Sequence, residues 1–110
     1  MHSPHQLGNL EESLLLIVMI EKEAYGVSVA EAYEKQMGKS ISIPAVHTVL
    51  KRLEQKGLLK SQMGEASPER GGRRKRIFEA TPHGYRTVAY LRDNRLRLWS
   101  LIPKLDLPNG

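Results

Sequence analysis

The sequence predicts a mainly α, α+β fold in the order helix, helix, helix, strand, strand, helix, and three observations carry that reading. Residues 42–59, SIPAVHTVLKRLEQKGLL, form an amphipathic helix with its own start and stop signals. Two short extended runs follow, separated by the turn-forming, charged segment GEASPERGGRR at 64–74. Thr81-Pro82 then opens a long helical stretch that Pro103 stops.

Each element has a local cause. Asn9 or Ser13 can cap a first helix that runs to about Glu23, and its centre LLLIVMI is apolar on every side, so it needs cover on more than one side. One cover is the chain's own core; the preferred alternative adds a partner chain on the other side. Tyr25-Gly26 makes a break. Val29, Ala30, Tyr33 and Met37 give the stripe of a second helix that ends near Gly38-Lys39. In the third helix, at about 100° per residue, Val46, Val49, Leu50 and Leu53 fall in one narrow stripe. Opposite them stand Pro44, His47, Thr48, Lys51 and Gln55. Ser42 accepts amides of the first turn, Pro44 suits a turn whose N–H groups are free anyway, and Gly57 allows a left-handed stop. Residues 58–63 and 75–80 read as strands of a hairpin with a long basic tip. The final helix spans about 82–102, with Tyr85, Val88, Ala89, Leu96, Trp99 and Ile102 on its apolar face. Residues 1–7 and 106–110 read as frayed ends.

Composition narrows the function classes. At 110 residues the chain is read as one domain, of a size that gains from pairing with a second copy. It has no Cys, which excludes disulfides, zinc–thiolate sites and thiol catalysis and makes a reducing cytoplasm the natural location. No signal peptide is visible, and the longest apolar run, Leu14–Ile20, is far short of the roughly 20 residues needed to cross a bilayer, so no membrane partner is expected. The net charge of +5 is unevenly spread: residues 1–38 hold two Lys against six Glu, whereas residues 39–76 hold ten Lys and Arg against three Glu. A net −4 segment beside a net +7 segment is the footprint of a nucleic-acid reader, or else a solvated basic face.

Two helices joined by a short turn, the later one polar and basic on its outer face, match a helix-turn-helix, and an adjoining hairpin with a basic tip makes it a winged helix. The chain therefore reads as a winged helix-turn-helix with a two-stranded β-hairpin wing and a long C-terminal dimerisation helix. Residues 8–81 form the DNA-binding part and residues 82–103 the dimerisation helix, in one structural unit.

Tyr25-Gly26, Leu50-Lys51-Arg52-Leu53-Glu54, Lys56-Gly57-Leu58-Leu59, Gly71-Gly72-Arg73-Arg74-Lys75, and Thr81 with Gly84 together resemble, in that order, the PadR-like family of bacterial transcriptional regulators, in its compact branch with a single C-terminal helix. The resemblance covers about residues 10–102. It implies a dimeric repressor whose last helix forms much of the dimer interface, with an apolar effector pocket there in some members. Three departures are visible. The family usually has a Tyr where His47 stands and a Gly-Thr pair where Pro44-Ala45 stand. Its second strand usually carries paired Tyr residues ahead of a Leu-Thr, where this chain has Arg76 to Thr81.

On these grounds double-stranded DNA is assigned to Tyr25, Ser42, Pro44, Ala45, His47, Thr48, Lys51 and Arg52, with Arg70, Arg73, Arg74 and Lys75 of the wing on a phosphate strand or in the minor groove. Arg52 ranks below Lys51 because it lies to one side of the polar face, where an intrahelical pair also explains it. Tyr25 has core packing as its bland reading, and His47 a solvated surface position. A homodimer is assigned to Leu14, Ile17 and Val18 of the first helix and Val88, Arg92, Leu96 and Trp99 of the last. For Trp99 packing is the default reading, and a flat surface on which a small aromatic effector stacks is the alternative.

Catalysis finds no support. The four His, at 2, 5, 47 and 83, have no acid at catalytic or metal-binding spacing, and no cofactor is implied. The rival from another class is a winged-helix adaptor that docks protein through its acidic first segment. RNA is the weaker third reading, because the six aromatics do not interleave with the basic region.

Overall fold

The structure, a computed structural model, describes residues 6–66 and 74–104. Its elements in chain order are α1 (Asn9–Ile20), α2 (Gly26–Met37), α3 (Ile43–Gln55), β1 (Leu59–Ala66), β2 (Arg74–Ala80) and α4 (Pro82–Leu101).

α3 forms where its caps place it. The Ser42 hydroxyl accepts from the Ala45 amide at 3.2 Å. At the other end Gly57 takes φ +77°, and its amide and that of Leu58 donate back to the carbonyls of Glu54 and Leu53. This paired return is a Schellman stop, which needs a residue without a Cβ penalty at the left-handed position. The buried stripe is Val46, Val49, Leu50 and Leu53, as the spacing predicts. α2 is capped by Tyr25, whose amide donates to the Ser28 hydroxyl at 2.9 Å, and it stops at Gly38 with φ +68°. Val29 and Ala30 reach the core and Tyr33 is half-buried, but Met37 is exposed, because the last turn of α2 runs past the edge of the core.

α1 departs from expectation in three ways. Its cap is Gly8, whose amide donates to the Glu11 carboxylate at 3.1 Å, rather than Asn9 or Ser13. It ends at Ile20, because Glu21 is already extended and the chain turns to place Ala24 beside the sheet, where the Phe78 amide donates to the Ala24 carbonyl at 2.8 Å. Third, Leu14, Ile17 and Val18, assigned above to a partner, are buried with Leu15 in this chain's own core. The side of α1 turned to solvent carries Leu10, Leu16 and Ile20 instead.

β1 and β2 pair antiparallel from Leu59↔Ala80 to Ala66↔Arg74, with an irregularity between Met63 and Ala66. The hairpin is thus longer than the 58–63 and 75–80 runs suggested. Leu58, Leu59 and Phe78 close the core from below the three helices. α4 starts as its Thr-Pro signal predicts: the Thr81 hydroxyl accepts from the Gly84 amide at 3.0 Å and donates to the Gly57 carbonyl at 2.7 Å, tying α4 to the end of α3. Only Gly84, Thr87 and Val88 of α4 are buried. Tyr85, Leu96, Trp99 and Ile102, expected on an apolar face, are exposed on the single chain.

Two neighbouring carboxylates on α1 are buried, and each is held by one cation: Glu11 by Lys56 at the end of α3 (2.7 Å) and Glu12 by Arg95 of α4 (2.6 Å). Burial pushes the Glu11 carboxyl up, but the Lys56 and Gly8 hydrogen bonds and the charges of Lys56 and Arg52 outweigh it, so its pKa lies below the ordinary 4.5. A lowered folded-state value stabilises the fold above the unfolded pKa, and that contribution is lost as pH falls through the folded one. Glu11→Gln removes the charge but keeps the shape. Because the Lys56 side chain is 38% exposed and can rehydrate, we expect a loss of about 1 kcal/mol at pH 7. Urea titrations of both proteins should show the gap narrowing below about pH 4.5; a gap independent of pH rules out the ion pair as its source.

Candidate nucleic-acid interface

The outward face of α3 presents Pro44, His47, Thr48 and Lys51, all exposed. They stand together because the core takes the opposite stripe. The Thr48 hydroxyl donates to the Pro44 carbonyl at 3.0 Å, which leaves its oxygen free to accept and its methyl turned outward. Ser42 is exposed with its side chain engaged in the cap, and Ala45 is half-buried. Arg52 is exposed but close enough to Glu11 to act on its carboxylate, so it flanks the α1 side of α3 rather than the His47–Lys51 face.

Between this face, the start of α2 and strand β2 lies a cleft of about 580 Å³, lined by Tyr25, Gly26, Val27, His47, Arg74, Lys75 and Arg76. It continues into a depression lined by His47, Lys51, Glu54, Arg76 and Phe78. The recognition face and the wing therefore share one concave, mostly cationic wall. The wing cations are not equivalent. Arg74 is exposed, with Nε donating to the Gly64 carbonyl at 2.9 Å, which fixes its guanidinium along the hairpin. Lys75 is different: its side chain is only 16% exposed, it pairs with Glu23, and its ammonium stands 4.2 Å from the centre of the Tyr25 ring. It anchors the wing to the α1–α2 connection and covers Tyr25, which is half-buried. Arg70 and Arg73 lie outside the described residues.

Arg76 belongs to this wall and was missed. Its guanidinium donates to the Ser61 hydroxyl at 3.0 Å, and that hydroxyl donates to Glu54 of α3 at 2.6 Å, a polar chain that couples wing to recognition helix. The signal was strand alternation, which puts Arg74, Arg76 and Phe78 on one face of β2. Sequence reading also passed over Gly26, whose missing side chain makes room for His47: a Cβ there would stand 2.6 Å from Nε2.

On the far side of the molecule α1 and α4 enclose a groove of about 410 Å³, with Leu16, Met19, Tyr85, Val88, Arg92 and Leu96 among its lining. Arg92 and Arg95 thus do border an apolar surface, Arg92 paired with Asp93 and Arg95 with Glu12. The Asp93 hydrogen bond and charge hold the Arg92 guanidinium above its ordinary value.

The sequence matches the PadR-like family of transcriptional regulators over residues 15–90. The chain belongs to that family. The fold agrees. A PadR-like transcription factor from Bacteroides fragilis superposes with TM-score 0.71 at 19% identity, over 83% of this chain and 84% of that one. A PadR-like regulator from Bacillus cereus gives 0.67 at 19%, with 83% and 84% covered, and a Streptococcus mutans protein 0.64 at 24%, with 92% and 88% covered. No curated protein matches the sequence. As a PadR-like protein the chain is a DNA-binding transcription regulator with a winged helix, not an enzyme. Among the described residues no group of His, Asp and Glu is placed to hold a metal ion, and no helix is long and apolar enough to cross a membrane.

Proposed function

We propose that this PadR-like protein is a homodimeric, sequence-specific repressor working on DNA in the cytoplasm. α3 enters the major groove and the wing lies along the backbone or minor groove. Residues 8–81 supply the DNA-reading part and residues 82–103 the dimerisation helix. The observation that carries this reading is the shared wall: Pro44, His47, Thr48 and Lys51 of α3 look out beside Arg74 and Arg76 of the wing. Thr48, with Pro44 and Ala45, is placed to meet base edges, and Lys51 and Arg74 to meet phosphates. Tyr25 supports the wing through Lys75, and Ser42 fixes the start of α3. Arg70 and Arg73 extend the basic tip. The groove between α1 and α4, apolar with Arg92 and Arg95 at its edge, suits a small aromatic effector whose binding alters how two protomers cross.

Fluorescence anisotropy on the chain's own promoter and on an arbitrary duplex tests this. Affinity for the arbitrary duplex should fall steeply with salt, because phosphate contacts release counterions. Lys51→Ala with Arg74→Ala should weaken binding to both duplexes and flatten the log–log salt slope by about two units, roughly one per lost contact. A parent whose duplex binding is weak and insensitive to salt refutes DNA recognition by this face and favours a protein-docking module.

A further inference from the structure

His47 sits where three elements meet, and its surroundings are specific. Its imidazole lies against the start of α2, where even a methyl group on Gly26 would overlap Nε2 and Cε1. From α3 itself Lys51 and Glu54 border the same space; from β2 come Arg74, Lys75 and Arg76; from the start of α2 comes the Tyr25 phenol. Some of these charges are already matched. Lys75 pairs with Glu23 of the α1–α2 connection, and Glu54 accepts from Ser61, which accepts from Arg76. With the Lys75–Glu23 pair set aside, Lys51, Arg74 and Arg76 face the single carboxylate of Glu54. The cleft wall around the imidazole is therefore positive, concave and open to a ligand that only accepts hydrogen bonds.

We propose that this cleft seats one backbone phosphate of the bound duplex and that His47 donates to it as the imidazolium, so that DNA binding takes up a proton at this residue. The proposal rests on the reading of α3 and the wing as the DNA interface. Its chemistry is direct. Neutral imidazole has one donor and one acceptor nitrogen, whereas the imidazolium has two donors, which suits a phosphate oxygen. In the free chain Lys51, Arg74 and Arg76 oppose a further positive charge beside them. A phosphate placed among them reverses that balance and favours the protonated ring. The complex then binds more protons than its separate partners, so affinity rises as pH falls through the range in which imidazole titrates, ordinarily near 6.5. Gly26 is part of the device, since a side chain there would push the ring off the start of α2 and into the phosphate seat.

The test is duplex affinity of the full chain at pH 6.0 and pH 8.0 at fixed ionic strength, for the parent, His47→Gln and His83→Gln. The parent and His83→Gln should bind roughly five- to tenfold more tightly at pH 6.0, and His47→Gln should change by less than about twofold. The His47 ring resonance, followed by NMR, should titrate at higher pH in the complex than in the free protein. An equal pH response in parent and His47→Gln, or a His47 midpoint that does not rise on binding, overturns the phosphate seat and leaves the DNA interface standing. No duplex binding at either pH overturns both.

Discussion

Gly84→Ala should cost about 3 kcal/mol of stability, and for a chain of this size that lowers Tm by roughly 10–20 °C. A Cβ at Gly84 would lie 2.2 Å from the carbonyl oxygen of Leu58, 3.1 Å from its carbonyl carbon and 3.3 Å from its Cα. All three are backbone atoms, so no rotamer change relieves the overlap. Leu58 cannot retreat either. Its amide completes the stop of α3 on Leu53, its carbonyl accepts from the Thr81 amide at 3.1 Å, and its side chain is fully buried. The overlap is therefore relieved only by lifting the first turn of α4 from the end of α3, which strains the Thr81–Gly57 hydrogen bond and uncovers Thr87 and Val88. Gly38 is the contrast: its φ of +68° penalises a side chain, but nothing lies within 4 Å, so the cost there is local. Thermal unfolding followed by circular dichroism decides the matter. A Gly84→Ala protein melting within about 2 °C of the parent would mean that α4 does not approach Leu58 this closely in solution.

What the sequence made legible, and what it did not, follows from which features have a period. α3 was readable to its caps and its two faces, because a stripe at 3.6-residue spacing and an isolated glycine leave little choice. The start of α4 was readable from Thr81-Pro82 for the same local reason. α1 was not, because a helix apolar on every side carries no information about which side its own domain takes; Leu14, Ile17 and Val18 went to the core, and Leu16 and Ile20 were left outside. The pairing of Ala24 with Phe78 is a single-residue contact and leaves no pattern in the sequence. The site shows the same division. His47, Thr48 and Lys51 were placed on the outward face by helical spacing. The different uses of Lys75 and Arg76 depend on Glu23, Tyr25 and Ser61, which are distant along the chain. Composition gave the wing its charge, but the tertiary contacts decide which cations remain available to a phosphate.

Leu96→Asp combined with Trp99→Asp should convert a dimer into a 12.4 kDa monomer and weaken operator binding by about 10²-fold or more. Beyond Arg95 the last turns of α4 extend past the core and expose Leu96, Leu98, Trp99, Leu101 and Ile102, with Trp99 at 72%. On the neighbouring side of α1, Ile20 is 67% exposed and Leu16 is exposed beside it. Large apolar side chains gathered on two adjacent helices are expensive to leave in water, at about 1.5–3 kcal/mol for each one whose burial is forgone. A second copy related by a two-fold axis covers both helices with the same surface, and it sets two α3 helices about one DNA turn apart, ~34 Å, to read a pseudo-palindrome. An aspartate at Leu96 and another at Trp99 place four charges in that contact per dimer, where desolvation opposes association. The substituted positions are exposed on the single chain, so the monomer should keep its fold and its far-ultraviolet circular dichroism. Light scattering at micromolar concentration is the measurement. A parent protein that runs as a 12.4 kDa species removes the dimer and with it the effector groove between protomers. A doubly substituted protein that stays dimeric moves the contact off the end of α4, leaving the Leu10, Leu16 and Ile20 side of α1 as the surface that must carry it.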